Sequence, residues 1–167
     1  MGPAEAVGRF EGLADVAPDA MVGHWRGETL ATGHPFDGLL EALGWWGKQV
    51  EGPERVHPLL FRLHSGVVAP LEPAVMPTAF ALALPGLARS TTMRLAFQVM
   101  APLLVARRPG ARLERRGFRG RTGTALCYLR QPITDHLRRV DDRRVIGLME
   151  RRGMAPFLFL LTRSDVP

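Results

Sequence analysis

The chain is short of several things, and each shortage excludes something. One cysteine in 167 residues, Cys127, rules out an internal disulfide, and a lone thiol inside an apolar run reads as a small core residue. The N-terminus, MGPAEAVGRFEG, lacks the charged head and apolar stretch of a secretory signal. Together these point to the cytoplasm. No hydrophobic run nears the roughly 18–20 residues of a membrane span. The longest, MAPFLFLL at Met154 to Leu161, has the length of a buried strand. Aromatic residues make up only 7%, yet all three tryptophans fall between Val22 and Lys48. Lysine is nearly missing, Lys48 being the single one among 22 basic residues.

The arginines leave a net charge of +6. With abundant Ala, Gly and Pro beside them, they follow from the GC-rich coding of a bacterial-type proteome. Over the C-terminal half they alternate with apolar residues, as on the solvated face of a sheet. No recognition helix, zinc finger or aromatic ribonucleoprotein motif accompanies them, so nucleic acid is a disfavoured partner. What is there reads as one globular domain, 1–167, with 46% hydrophobic and 23% charged residues. An N-terminal arm (1–20) precedes a segment at 21–63 and a C-terminal segment at 64–167.

Ala4 to Ala14 predicts a short amphipathic helix ending before Pro18. Met21 to Leu30 alternates, with Val22, His24, Arg26 and Glu28 on one face and Gly23, Trp25 and Gly27 on the other, which predicts a strand. Thr32 to Pro35 is a turn, and Asp37 caps a short helix through Leu43. Gly44 and Gly47 break that helix around Trp45 and Trp46. Val56 to Leu63, Gly66 to Leu71 and Ala74 to Met76 are short extended pieces whose prolines imply edges or breaks. Ser90 to Ala106 predicts the longest helix, with Met93, Phe97 and Met100 as a core stripe and Pro102 kinking or ending it. Five strand-sized runs follow: Arg112 to Phe118, Thr122 to Leu129, Ile133 to Val140, Arg143 to Glu150 and Ala155 to Leu161. Their tight connections predict an antiparallel meander. The expected fold class is therefore mainly β, an antiparallel barrel of about eight strands with two or three helices covering its openings.

Gly23-His24-Trp25-Arg26-Gly27, continued by Thr32-Gly33-His34-Pro35 and Asp37-Gly38-Leu39, resembles the signature of the GXWXG-protein family. Pro132-Ile133, Asp135 to Asp142 and Gly147-Leu148-Met149 resemble its companion C-terminal domain of unknown function. The resemblance runs from Gly23 to Arg163 and implies no established activity. More distantly, a Gly-x-Trp on a first strand is similar to the calycins, the lipocalins, fatty-acid-binding proteins and haem-binding nitrobindins. That likeness implies a calycin-like barrel, closed at one end by the indole and enclosing an apolar ligand. The helices at Asp37 to Leu43 and Ser90 to Ala106 depart from the pattern and imply a partial or helix-plugged barrel.

The candidate ligand-binding residues are Trp25, His34, Trp45, Trp46, Tyr128 and Asp135. Trp25 reads first as a barrel plug whose indole N–H finds a backbone carbonyl. Adjacent Trp45 and Trp46 point opposite ways in an extended chain, one inward and one as a pocket wall. His34 is either a turn histidine bonded to backbone or a pocket histidine oriented by Asp37. Asp135 falls on a face with Ile133 and Leu137, where a buried carboxylate needs a partner, and an arginine of a neighbouring strand is the economical one. His57 and His64 sit on opposite faces, so no metal site is expected. No motif names a nucleophile or requires a cofactor, haem and fatty acid being compatible ligands. The expected function is binding of a small hydrophobic or amphipathic molecule. The alternatives are a small enzyme using a pocket His/Asp pair, and a basic nucleic-acid or protein interaction module. A homodimer is compatible with each.

Overall fold

The computed structural model describes residues 2–75, 85–88 and 90–167. Helix α1 (Pro3–Gly12) and a 3-10 turn (Pro18–Met21) lead into β1 (Gly23–Thr29). Helix α2 is a single turn, Leu39–Ala42, followed by β2 (Trp45–Gly52), β3 (Arg55–Arg62) and β4 (Val68–Pro70). A 3-10 turn (Pro73–Val75), α3 (Pro85–Ala88), α4 (Thr91–Met100) and a further 3-10 turn (Ala101–Leu104) come next. The meander closes the chain: β5 (Ala111–Phe118), β6 (Arg121–Tyr128), β7 (Ile133–Arg139), β8 (Arg144–Arg151) and β9 (Phe157–Ser164).

Every pairing is antiparallel, and the order β2-β1-β9-β8-β7-β6-β5-β3 returns on itself through β2–β3. Eight strands thus form a ring, with β4 added outside the circuit on β3. A ring of that size has an interior just wide enough for side chains or one small ligand. Its weakest seam is β3–β5, where Val56 opposite Ala111 is the one registered pair. Pro58 sits beside that pair and has no N–H to give a ladder, so β3 hands its remaining edge, Leu60 to Arg62, to β4.

Local chemistry accounts for the boundaries. The β5–β6 hairpin turns on Arg119 and Gly120, both at positive φ (49° and 78°), the arrangement that matches strand twist. Ser90 caps α4 by accepting the Met93 amide at 3.2 Å, and Pro102 stops the helix one residue after Ala101. Two clusters hold the fold. The larger fills the barrel around Trp25, Trp45, Phe61, Leu126 and Phe159. The smaller lies outside it, where Ala6, Val7 and Phe10 of α1 cover Leu148 and Leu158.

Four expectations need correcting. The stretch after α2 is not a broken helix but a full strand, β2, because the residues flanking Gly47 extend to pair with both β1 and β3. Ala74 and Val75 lie in a 3-10 turn rather than an extended piece, and Met76 is outside the described residues. The long helix ends at Met100, not Ala106. Its stripe is also not core: α4 buries no residue, Phe97 alone reaches the interior, 5.4 Å from Phe61, and Met100 is half exposed.

Candidate functional site

The barrel interior owes its chemistry to an irregularity in β2. Trp45 and Lys48 are three residues apart and would face opposite ways in a regular strand. The ladder with β3 shifts register on both sides of Gly47, whose φ of 149° suits a residue without a Cβ. This bulge reverses the alternation, and both side chains point inward. Gly27, opposite on β1, makes room for the first of them: a Cβ there would stand 2.6 Å from Cζ2 of Trp45. The second glycine of the Gly-x-Trp-x-Gly sequence is thus the floor on which the Trp45 ring lies. Trp45 donates its indole N–H to the Gly47 carbonyl at 3.1 Å.

Lys48 is 3% exposed, and its ammonium has three oxygen acceptors: Asp135 Oδ2 at 2.8 Å, the Pro58 carbonyl at 3.1 Å and Tyr128 Oη at 3.4 Å. An ammonium has three protons to give, so all are used. Aromatic faces complete its surroundings, the Phe159 ring centroid lying 4.8 Å away. Asp135 is fully buried on β7. Its Oδ2 takes both Lys48 and the Tyr128 hydroxyl, the latter at 3.3 Å. Burial, reinforced by the adjacent Asp135 charge, pushes the Tyr128 phenol well above its usual range and keeps it a donor. Asp135 Oδ1 is buried and has no hydrogen-bond partner among the described residues.

This polar cluster stands at the edge of a cavity of about 60 Å³. Its walls are otherwise apolar, from Phe36, Leu40, Trp45, Leu59, Met149 and Phe159 among others. Pro73 lies over one side, beside the β3–β5 seam. Its turn is tied down by the paired Arg130–Glu72 contacts at 2.9 and 3.0 Å and by Gln131 donating to the Pro73 carbonyl at 3.0 Å. The Arg130 hydrogen bonds hold the Glu72 carboxyl below its usual 4.5.

Of the six residues singled out by sequence, Trp45, Tyr128 and Asp135 line this cavity. Trp25 does not: it packs in the core, donates to the Met21 carbonyl at 2.7 Å and carries the Arg163 guanidinium 4.4 Å above its ring. Trp46 faces the outside of the barrel, against His24 and beside Arg26, Glu28 and Arg62. His34 spends both ring nitrogens on backbone, Nδ1 accepting from the Phe36 amide at 3.0 Å and Nε2 lying 3.2 Å from the Ala155 carbonyl. Burial pushes its pKa below the usual 6.5, so the ring is neutral, with the proton on Nε2. Asp37 does not orient that ring but accepts the amides of Thr32, Gly33 and His34 at 2.8, 2.7 and 3.0 Å. The partner expected for Asp135 was an arginine. It is Lys48, because a compact ammonium on a thin stem fits between three rings where a planar guanidinium would not.

Lys48 is the residue of this buried cluster that alternation along the sequence does not reveal, and its signal is composition. A chain that uses arginine for nearly every cation and lysine once marks that one position as different. Among the described residues no group of His, Cys, Asp and Glu could hold a metal ion, and no helix is long and apolar enough to cross a membrane.

The comparisons with known proteins agree with this architecture. Residues 8–66 match the family model described as GXWXG protein, and residues 109–163 match a domain of unknown function (DUF4334). No curated protein matches the chain. A crystal structure of a protein from Thermomonospora curvata is similar over 99% of this chain and 89% of its own, at 29% identity and a TM-score of 0.72.

Proposed function

We propose that this GXWXG protein, whose barrel is completed by the companion C-terminal domain, binds a small amphipathic molecule in the chamber beside Lys48 and Asp135. One observation carries the reading: the buried ion pair of Lys48 and Asp135, with Tyr128, lines a cavity whose walls are otherwise apolar. Apolar walls with a few placed polar groups are the usual make-up of a small-molecule site.

The space bounds the ligand. A cavity of about 60 Å³ admits a few heavy atoms, so a porphyrin or long-chain fatty acid does not fit as the chamber stands. The expected ligand is smaller than those the distant barrel relatives hold. Native mass spectrometry of the purified protein tests the reading. The expected result is an added small mass that denaturation releases, or one that appears on incubation with small apolar alcohols, ketones and amines and saturates. A protein that stays bare across such a set, with its tryptophan fluorescence unchanged, would overturn it.

A further inference from the structure

We propose that the outward face of α4 docks on an anionic membrane surface, with the helix lying in the plane of the lipid headgroups. Leu95 and Val99 of the helix, and Leu103 in the turn that follows, recur at a spacing of four and form one stripe. Met100 stands beside them, and all four are exposed. The opposite side fixes the helix. Phe97 packs on Phe61, Arg94 Nε donates to the Ala42 carbonyl at 2.8 Å, and Gln98 Nε2 donates to the Leu43 carbonyl at 2.9 Å. These anchors hold the stripe outward, and a contiguous apolar patch displayed in this way marks a surface for binding.

Charge decides what covers it. Between Glu72 and Glu114 the chain has five arginines, Arg89, Arg94, Arg107, Arg108 and Arg112, and no acidic residue. Arg94, Arg107 and Arg108 are exposed. Glu41, the carboxylate that lines the groove beside Arg94 and Leu95, accepts the Thr29 amide. An apolar stripe flanked by arginines without acid is the pattern of helices that lie on anionic lipid. A second copy placed face to face by a two-fold axis would set these arginines against one another, with no carboxylate in the stretch to offset them. Lipid supplies both complements, headgroups of opposite charge and apolar acyl chains. The 10 residues of α4 make a rod about 15 Å long, enough to lie in the interface and too short to span it.

Co-sedimentation of the intact protein with vesicles tests this, one set of pure phosphatidylcholine and one containing phosphatidylglycerol as well. The protein is expected to bind the anionic vesicles, to bind the neutral ones at least about tenfold more weakly, and to dissociate at about 1 M salt, where the screening length is about 3 Å. V99S/L103S alters only exposed side chains, so its melting temperature should match the parent's while its partitioning falls by about tenfold or more. R107Q/R108Q should weaken binding about fivefold for each charge removed. No binding to the anionic vesicles, equal binding to both sets, or V99S/L103S binding as tightly as the parent would overturn the proposal. So would a lipid-free dimer that V99S/L103S dissociates, because a second copy would then cover the face.

Discussion

Trp25 and Gly27 of the Gly-x-Trp-x-Gly sequence have separate mechanical tasks, one sealed in the core and the other making room for Trp45. Trp25 is buried to 1% exposure and is held by the Met21 carbonyl at its ring edge and the Arg163 guanidinium over its face. Truncating it to alanine should cost about 3–5 kcal/mol in a denaturant melt, as removal of a large buried ring does. A loss under about 1 kcal/mol would mean the ring is not sealed in the core. Lys48 and Asp135 behave differently, because each is harmful without the other. K48M or D135L alone should cost about 3–5 kcal/mol, since the survivor is a buried, uncompensated charge, while the double variant should be more stable than either. Additive losses in that cycle would show that the two groups do not depend on one another.

At the scale of elements, two loops hold the mouth of the chamber and both respond to acid. Glu72, latched to Arg130, has its carboxyl held below 4.5, so the unfolded chain takes up its proton first. The latch stabilises above that pH and fails as pH falls through the lower folded value. His34 is a base held below 6.5 by burial. The unfolded chain again binds the proton first, so its contribution is lost as pH drops below 6.5. The melting temperature should therefore decline in two stages, and E72Q should reduce the lower one, which Glu72 shares with Asp15, Glu51, Glu114 and Asp141, all held below their usual range. A profile unchanged by E72Q would show the latch adds nothing. Helix α4 is the contrasting case. Val99, and Leu103 in the 3-10 turn that follows, are 75% and 77% exposed, whereas Phe97 packs on Phe61. V99S should leave the melting temperature nearly unchanged and F97A should lower it clearly; the reverse order would mean that the outward face is the packed one.

For the molecule as a whole, the parts of the fold with a short period were legible in the sequence and the parts set by long-range contact were not. The five C-terminal strands and their turns follow from alternation and turn residues, and each lies within a few residues of its expected place. β2 was missed because its bulge at Gly47 destroys the alternation that marks a strand. For the same reason Lys48 could not be seen to share a face with Trp45, and the site's main cation stayed hidden while its anion, Asp135, was visible. The stripe on α4 misled, since apolar periodicity shows that a face exists but not that something covers it. Of the two readings of His34, the turn histidine bonded to backbone is the one observed: Asp37 grips backbone amides, a choice that sequence spacing does not decide.

The account turns on one side chain, and the chain's composition makes it directly observable. Protein labelled with nitrogen-15 at lysine alone has a single side-chain ammonium to report, that of Lys48. One slowly exchanging ammonium resonance is expected, protected by its three acceptors, that moves saturably with at least one of the small apolar alcohols, ketones and amines and vanishes from this position in D135L. A resonance lost to rapid exchange with water, or one that stays fixed across that whole set of small molecules, would contradict a buried Lys48 beside a ligand chamber.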